Sequence, residues 1–255
     1  MNLPKSVTQT KPFYHSSRYA FVPTTQVIEL LGSKGWQPAS IQETRVLDEH
    51  RQGYQKHLIR FRQEAKSLIK KDQLYPEIVF INGHDSRTAP QLHAGTFRCI
   101  CSNGLIVADS VVESIHLRHV KNAAELIFTA LEQLVESFPR LTQRIEEYRL
   151  IDLTPDEQGI FAEAAAAVRW PDDPKKLETL DLATILRPRR VEDEPGTLWH
   201  TFQRLQEKLV MGGDTLFNRG RYARRAKPIQ AIDEQRRVNV ALWQLMEEIA
   251  NLKAA

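Results

Sequence analysis

The feature that most constrains the fold is a change of period near residue 108. Before it, apolar residues alternate or run together in short blocks, as in Ile78, Val79, Phe80 and Ile81; after it they recur three and four positions apart. Alternation suits strands and the longer spacing suits helices. Strands grouped apart from helices imply an α+β fold, with an antiparallel-rich sheet in the N-terminal half and a mostly helical C-terminal half.

Local signals fill in this outline. Thr24 or Thr25 caps a short helix carrying Val27, Ile28, Leu30 and Leu31, stopped by Gly32 and Gly35. Residues 40–47 and 54–62 read as two strands joined by the polar DEHRQG turn, and 77–82 as a third, introduced by Pro76. In the second strand Arg60 and Arg62 share a face with Leu58, while Ile59 and Phe61 take the other. GHDSRTAPQ is a polar loop, and 95–108 a hairpin turning at Asn103-Gly104. Helices are expected over 111–134, with Pro139 as terminator or break, then over 140–150, 155–169, 177–186, 198–211 (closed by Gly212-Gly213) and 229–252. The organisation expected is an N-terminal extension over 1–16, an α+β core over 17–150, and a helical region over 151–255 packed on or extending from it.

The chain has 255 residues, 42% hydrophobic and 26% charged, so it can bury a core without disulfide or metal staples. The opening MNLPKSVTQTKPF lacks the apolar stretch of a signal peptide and no run is long enough to span a bilayer, so a cytoplasmic protein without membrane contact is expected. Cys99 and Cys101 are too close for an ordinary bridge and too few for structural zinc; buried thiols are the plainer reading. The formal charge is only +3, yet residues 1–125 hold 16 Lys and Arg against 11 Asp and Glu. Cationic character therefore lies in patches, and patches attract polyanions.

No GxSxG, GxxxxGK[ST], HExxH or repeated CxxC occurs. His84 and Asp85 could serve a metal or a hydrolysis, but only His93 lies near and at no defined spacing, so a turn-forming Asp85 is the simpler expectation. His116 and His119 sit one helical turn apart if the segment is helical, beside Arg118 and Lys121, which disfavour a bound cation. The sharpest charge feature is residues 219–227, where Arg219, Arg221, Arg224, Arg225 and Lys227 surround Tyr222 with no acid among them. Guanidinium groups grip phosphates in pairs and a tyrosine can stack on a base; solvated surface charge is the alternative. A second basic group, Arg51, Lys56, Arg60, Arg62, Lys66, Lys70 and Lys71, comes from the first hairpin and its exit, opposed by Glu64, with Tyr54 and Phe61 as candidate stacking platforms or core.

Three stretches carry a family resemblance: INGHDSRTAPQLHAGTFRCICSNGLIV, RPRRVEDEPGTLWHTFQRLQEKLVMGG and RGRYARRAKPIQAIDEQRRVNVALWQLMEEIA. Together, over most of residues 17–250, they resemble the phage/plasmid-like proteins of domain of unknown function 932. The family loop commonly reads NSHDG, where this chain has Asn82-Gly83-His84-Asp85-Ser86. The resemblance implies carriage on phages, plasmids and integrated elements and brings no activity with it. The opening helix, Gly35-Trp36 and the two strands that follow are also similar, over about 40 residues of common types, to the start of single-strand annealing proteins of the RecT/Redβ type.

The function expected from these observations is single-stranded DNA binding and annealing in mobile-element recombination. It needs no catalytic residue and no cofactor. The residues expected to carry it are Arg60, Arg62, Lys66, Arg219, Arg221, Tyr222, Arg224, Arg225 and Lys227, and a homo-oligomer would suit an annealing groove. Two other readings compete: a module that contacts a host or phage protein to modulate host defence, anchored by apolar residues such as Trp199 or Trp243, and a metal-dependent nuclease using His84 and Asp85.

Overall fold

A computed structural model describes residues 2–14, 21–63, 74–98, 103–106, 115–116, 123–219 and 222–254. The fold is α+β, and it divides into two compact units, Met1–Pro139 and Arg140–Ala255.

The first unit is built on an antiparallel sheet of order β1-β2-β3-β4-β5: β1 Gln37–Glu43, β2 His57–Arg62, β3 Leu74–Asn82, β4 Gln91–Arg98 and β5 Asn103–Ile106. A two-residue strand β6, Ile115–His116, pairs with the start of β4, while β5 pairs with its end. The register puts His57 opposite Asn82, Ile59 opposite Phe80 and Phe61 opposite Ile78 on one face; Leu58 opposite Ile81, Arg60 opposite Val79 and Arg62 opposite Glu77 share the other. The face assignment expected for β2 is thus the observed one. Eight of the nine β3 residues are buried, as a central strand requires. Helix α1, Thr24–Ser33, buries Val27 and Leu31 and begins beside the His57–Asn82 face.

Several boundaries differ from expectation. The first strand is Gln37–Glu43, with a register shift between Pro38 and Ser40, and just beyond it the Thr44 amide still donates to the Lys56 carbonyl at 2.8 Å. Asn103-Gly104 is not the turn: Asn103 pairs with Arg98 and Gly104 with Phe97, so ladder pairing overrides the local turn preference. Ile115 and His116 lie in a strand and not a helix, captured by Leu92 and Gln91. Pro139 neither ends nor splits its helix. Helix α2 runs from Ala123 to Tyr148 through it, because the stripe Leu134, Phe138, Leu141 and Ile145 is buried on both sides of the proline. The hydroxyl of Ser137 also donates to the Leu134 carbonyl at 2.6 Å. Cys99, Cys101 and His119 lie outside the described residues.

The second unit is mainly helical. Its long elements are α3 Pro155–Arg169, α6 Leu198–Gln206, which continues as a π-helical turn over Glu207–Met211, and α7 Ile232–Ala254; of the helix expected over 177–186 only α5 Leu182–Leu186 forms, preceded by the short α4 Pro174–Leu177. Thr154 caps α3 in a reciprocal capping box with Glu157, and Pro155 at the first helical position needs no N–H partner. All nine residues of α6 are buried. Trp199, Phe202 and Trp243 form the aromatic centre, with ring centroids 5.7 and 6.1 Å apart along the chain of contacts. Both tryptophans are fully buried, so neither is an exposed anchor for a partner. One element falls outside the expected segregation: the basic segment forms an antiparallel hairpin, β7 Thr215–Arg219 with β8 Tyr222–Arg225.

Candidate nucleic-acid interface

The hairpin stands on a charged, largely buried socket. Glu207, near fully buried, receives Arg190 through both terminal nitrogens and Arg189 through one, each at 2.9 Å. Burial opposes ionisation of Glu207, and the Arg190 and Arg189 guanidinium groups outweigh it, holding its carboxyl below the usual range. Arg190 also reaches Asp193 at 3.3 Å. Arg189 bonds Asp214 at 3.1 Å and the Gly212 carbonyl at 2.8 Å, while Lys208 lies 3.5 Å from Asp214 and donates to the Thr184 and Arg187 carbonyls. Within RPRRVEDEPGTLWHTFQRLQEKLVMGG, Arg189, Arg190, Asp193, Glu207 and Lys208 therefore form one charged cluster with Asp214 at the end of α6.

From this socket the chain enters β7 through Gly212, whose φ of 67° lies in the left-handed region and whose absent Cβ would sit 2.4 Å from the Ala226 carbonyl oxygen. Only glycine fits there. The base of the hairpin is closed by Gly213 N–H to Ala226 O at 2.9 Å, Ala226 N–H to Asp214 O at 3.0 Å and Ile229 N–H to Val210 O at 2.9 Å. Above the base, Thr215 pairs with Arg225, Phe217 with Arg224, Asn218 with Ala223 and Arg219 with Tyr222. Between Asp214 and Asp233 there is no acidic residue, and Asp214 is held by Arg189 and Lys208. Arg225 and Lys227 are exposed, and among the described residues neither has a carboxylate within ion-pair distance. Arg219, Tyr222 and Arg224 are placed by their backbone register, and Arg221 lies outside the described residues.

The basic group on the sheet is arranged differently. Glu77, fully buried, accepts from Arg60 Nη1 and from Arg62 Nε, both at 2.6 Å. Gly95, opposite Glu77 in β4, leaves the space; a Cβ there would meet the Leu105 carbonyl oxygen at 2.7 Å and Glu77 Cβ at 3.4 Å. Arg60 and Arg62, expected as phosphate contacts, are thus both partners of one buried carboxylate, with 12% and 25% of their side chains exposed. Phe61 is fully buried and cannot stack on a base, and Tyr54 packs on Phe13 at 5.2 Å. Lys66 lies outside the described residues. Nothing in the spacing of Glu77 within an apolar run announces this role; the register does.

The loop after β3 borders a buried polar cluster on the other face of the sheet. Thr24 Oγ1 lies 2.9 Å from His57 Nε2 and 3.2 Å from His84 Nε2, and accepts from Asn82 Nδ2 at 3.0 Å. His57 Nδ1 faces the Gln55 carbonyl at 3.2 Å, so in the neutral ring that nitrogen carries the proton and Nε2 accepts from the threonine. A hydroxyl has one proton, so His84 Nε2 donates to Thr24. Burial pushes His57 down to about 4, with the Gln55 carbonyl opposing, which keeps it neutral near pH 7. Asp85 Oδ1 accepts from the Arg87 and Thr88 amides at 3.0 and 3.1 Å, the turn-forming arrangement expected of it, and Oδ2 sits 3.8 Å from Arg51. Ser86 takes a φ of 64° and is pinned to the Tyr14 backbone. His93 is buried in β4 beside Gln91. Among the described residues no group of three His, Cys, Asp or Glu side chains is arranged to hold a metal ion, and no helix is long and apolar enough to cross a membrane.

Comparison with known proteins places these features in a family. The model of the domain of unknown function DUF932 matches residues 14–243. The chain is 30% identical over 247 residues to the UPF0380 protein YfjQ of Escherichia coli K12, covering 97% of this chain and 88% of that one, and equally so to the UPF0380 protein YafZ of the same strain. No solved structure matches. The likeness of the opening segment to single-strand annealing proteins receives no support from these matches. The chain belongs to the DUF932 family.

Proposed function

We propose that this DUF932 protein binds single-stranded nucleic acid, DNA in the first place, through the basic hairpin of its second unit, and that it acts by holding a strand and not by breaking a bond. The observation that carries the reading is the acid-free stretch 215–232, folded as a hairpin on a neutralised socket with Arg225 and Lys227 exposed. A rigid base matters because cations fixed in place lose less freedom when they engage phosphates than cations on a loose tail. A strand held by its backbone keeps its base edges open for pairing, which is the requirement for annealing in mobile-element recombination. Such a protein would work in the cytoplasm, as a homo-oligomer where long strands are covered. The sheet arginines are left out of this reading, since Glu77 engages them.

The test is fluorescence anisotropy of the purified chain with labelled single-stranded DNA, duplex DNA and single-stranded RNA, followed by an annealing assay with complementary oligonucleotides. Saturable binding that favours the single strand, and faster annealing that the Arg225→Ala/Lys227→Ala variant lacks, is the expected result. Absence of binding to any of the three, or cleavage of the label in the presence of divalent metal, would overturn the reading.

A further inference from the structure

Two adjacent arginines near the start of α7, Arg236 and Arg237, are placed very differently. Arg237 donates to Glu234 from Nε and Nη2, both at 2.8 Å, and to the Val168 carbonyl at 3.0 Å, while Arg169 reaches the same carboxylate at 3.5 Å. Arg236 has no such company. Its Nε is buried and meets no acceptor, and among the described residues no carboxylate lies within ion-pair distance of it. Of its guanidinium nitrogens only Nε is buried without a partner, and the side chain is half-buried, so the terminal nitrogens reach solvent. Arg236 is thus a cation with a held stem and an open tip.

Its position follows from the way α6 and α7 run past each other. Phe202 meets Trp243 with ring centroids 6.1 Å apart, and one turn further on Gln206 Nε2 donates to Asn239 Oδ1 at 2.7 Å. The helices are antiparallel, so another turn brings Gln235 and Arg236 level with Leu209 and Val210. The base of the basic hairpin is tied to that same level: Ile229 donates to the Val210 carbonyl at 2.9 Å, and its own carbonyl accepts from Gln235 Nε2 at 2.7 Å. Lys227 precedes Ile229 by two residues, which span at most about 7 Å of chain. Arg236 therefore stands at the foot of the hairpin, on the helix that holds its exit strand.

We propose that Arg236 is a further phosphate contact of the hairpin's nucleic-acid site, taking the phosphate next to those engaged by Arg225 and Lys227. This rests on the reading of the hairpin as a nucleic-acid contact. A buried N–H without an acceptor and a charge without a countercharge both oppose folding, so the guanidinium gives the free chain nothing that an apolar side chain of similar length would not. A phosphate at the terminal nitrogens supplies the missing countercharge, in the paired geometry that a guanidinium offers and an ammonium does not. Because the stem is already fixed, little freedom is lost on contact.

The experiment compares the full parent chain with Arg236→Met, Arg236→Lys and Arg225→Ala/Lys227→Ala, each melted without ligand and titrated with labelled oligo(dT) across a salt series. Arg236→Met is expected to bind roughly tenfold more weakly, with a salt slope shallower by about 0.7, while its Tm equals or exceeds the parent's. Arg236→Lys keeps the charge and should keep the parent's slope, with a smaller loss of affinity. Adding Arg236→Met to the hairpin pair should raise the loss of slope from about 1.4 to about 2.1. Parental slope and affinity in folded Arg236→Met, with the hairpin pair still weakened, would overturn the Arg236 contact and leave the hairpin reading standing. Failure of Arg236→Met to fold, or a Tm more than about 5 °C below the parent's, would overturn it equally, since it would show a partner within the free chain. No saturable oligo(dT) binding by the parent removes both readings.

Discussion

Replacing Glu77 with glutamine separates an internal role of Arg60 and Arg62 from an external one. In the folded chain the Glu77 carboxylate, fully buried, takes two charge-assisted bonds of 2.6 Å. A glutamine offers one acceptor oxygen and turns an NH2 toward the other arginine, so one such bond, worth about 1.5–3 kcal/mol, is lost and two donors face each other. Buried ion pairs broken from one side typically cost about 3–5 kcal/mol. Because the Arg60 and Arg62 side chains keep 12% and 25% of their exposure, water takes part of the load and the lower end, about 3 kcal/mol, applies. For a unit of this size that is a fall in Tm of roughly 10 °C. Circular dichroism melting, with oligonucleotide anisotropy measured well below the transition, checks both halves of the argument. A Tm within about 2 °C of the parent would refute the buried-partner account; a tenfold change in DNA affinity with the fold intact would show that the two arginines face the ligand.

Three further outcomes follow from particular contacts. Gly212→Ala places a methyl 2.4 Å from the Ala226 carbonyl oxygen at a φ of 67°, so the base of the hairpin must open, and a loss of about 2–3 kcal/mol is expected in urea unfolding; a loss under about 0.5 kcal/mol would contradict it. Gly83→Ser, which restores the residue common in the family loop, meets Thr88 Cβ at 2.8 Å and Lys56 Cα at 3.3 Å and should cost about 1–3 kcal/mol by the same measurement, an unchanged midpoint being the contrary result. His57 is about 4 in the folded chain against 6.5 in an ordinary environment, so the unfolded chain binds the extra proton between those values. Stability is fully present above about pH 6.5 and falls as the pH drops toward 4, by up to about 3 kcal/mol, and His57→Gln should flatten this part of the profile.

Much of the fold was legible because it rests on burial patterns that a sequence displays directly. The run Ile78, Val79, Phe80, Ile81 is a central strand, the faces of β2 follow from alternation, and Thr154-Pro155-Asp156-Glu157 opens α3 as a capping box should. The misreadings share a cause: a local signal yielded to a nonlocal contact. Asn103-Gly104 is drawn into the ladder by Phe97 and Arg98, and Pro139 is carried through α2 by the buried stripe on either side. The strands of the basic hairpin escaped notice because YARR has neither alternation nor an apolar face, and its pairing depends on Gly212 and the socket below. The candidate site was legible as charge and illegible as geometry. Five cations in residues 219–227 can be counted, but that Arg60 and Arg62 serve Glu77 while Arg225 and Lys227 stay exposed depends on strand register.

The salt dependence of oligonucleotide binding tests the central claim most directly. For a single strand, the logarithm of the observed affinity falls with the logarithm of salt concentration by about 0.7 per phosphate contact. Parent and Arg225→Ala/Lys227→Ala chains, compared across a salt series at matched folded fractions, should differ in slope by about 1.4, the loss being similar across base sequences. Equal slopes and equal affinities in the two folded proteins would contradict the assignment of the hairpin as the nucleic-acid contact.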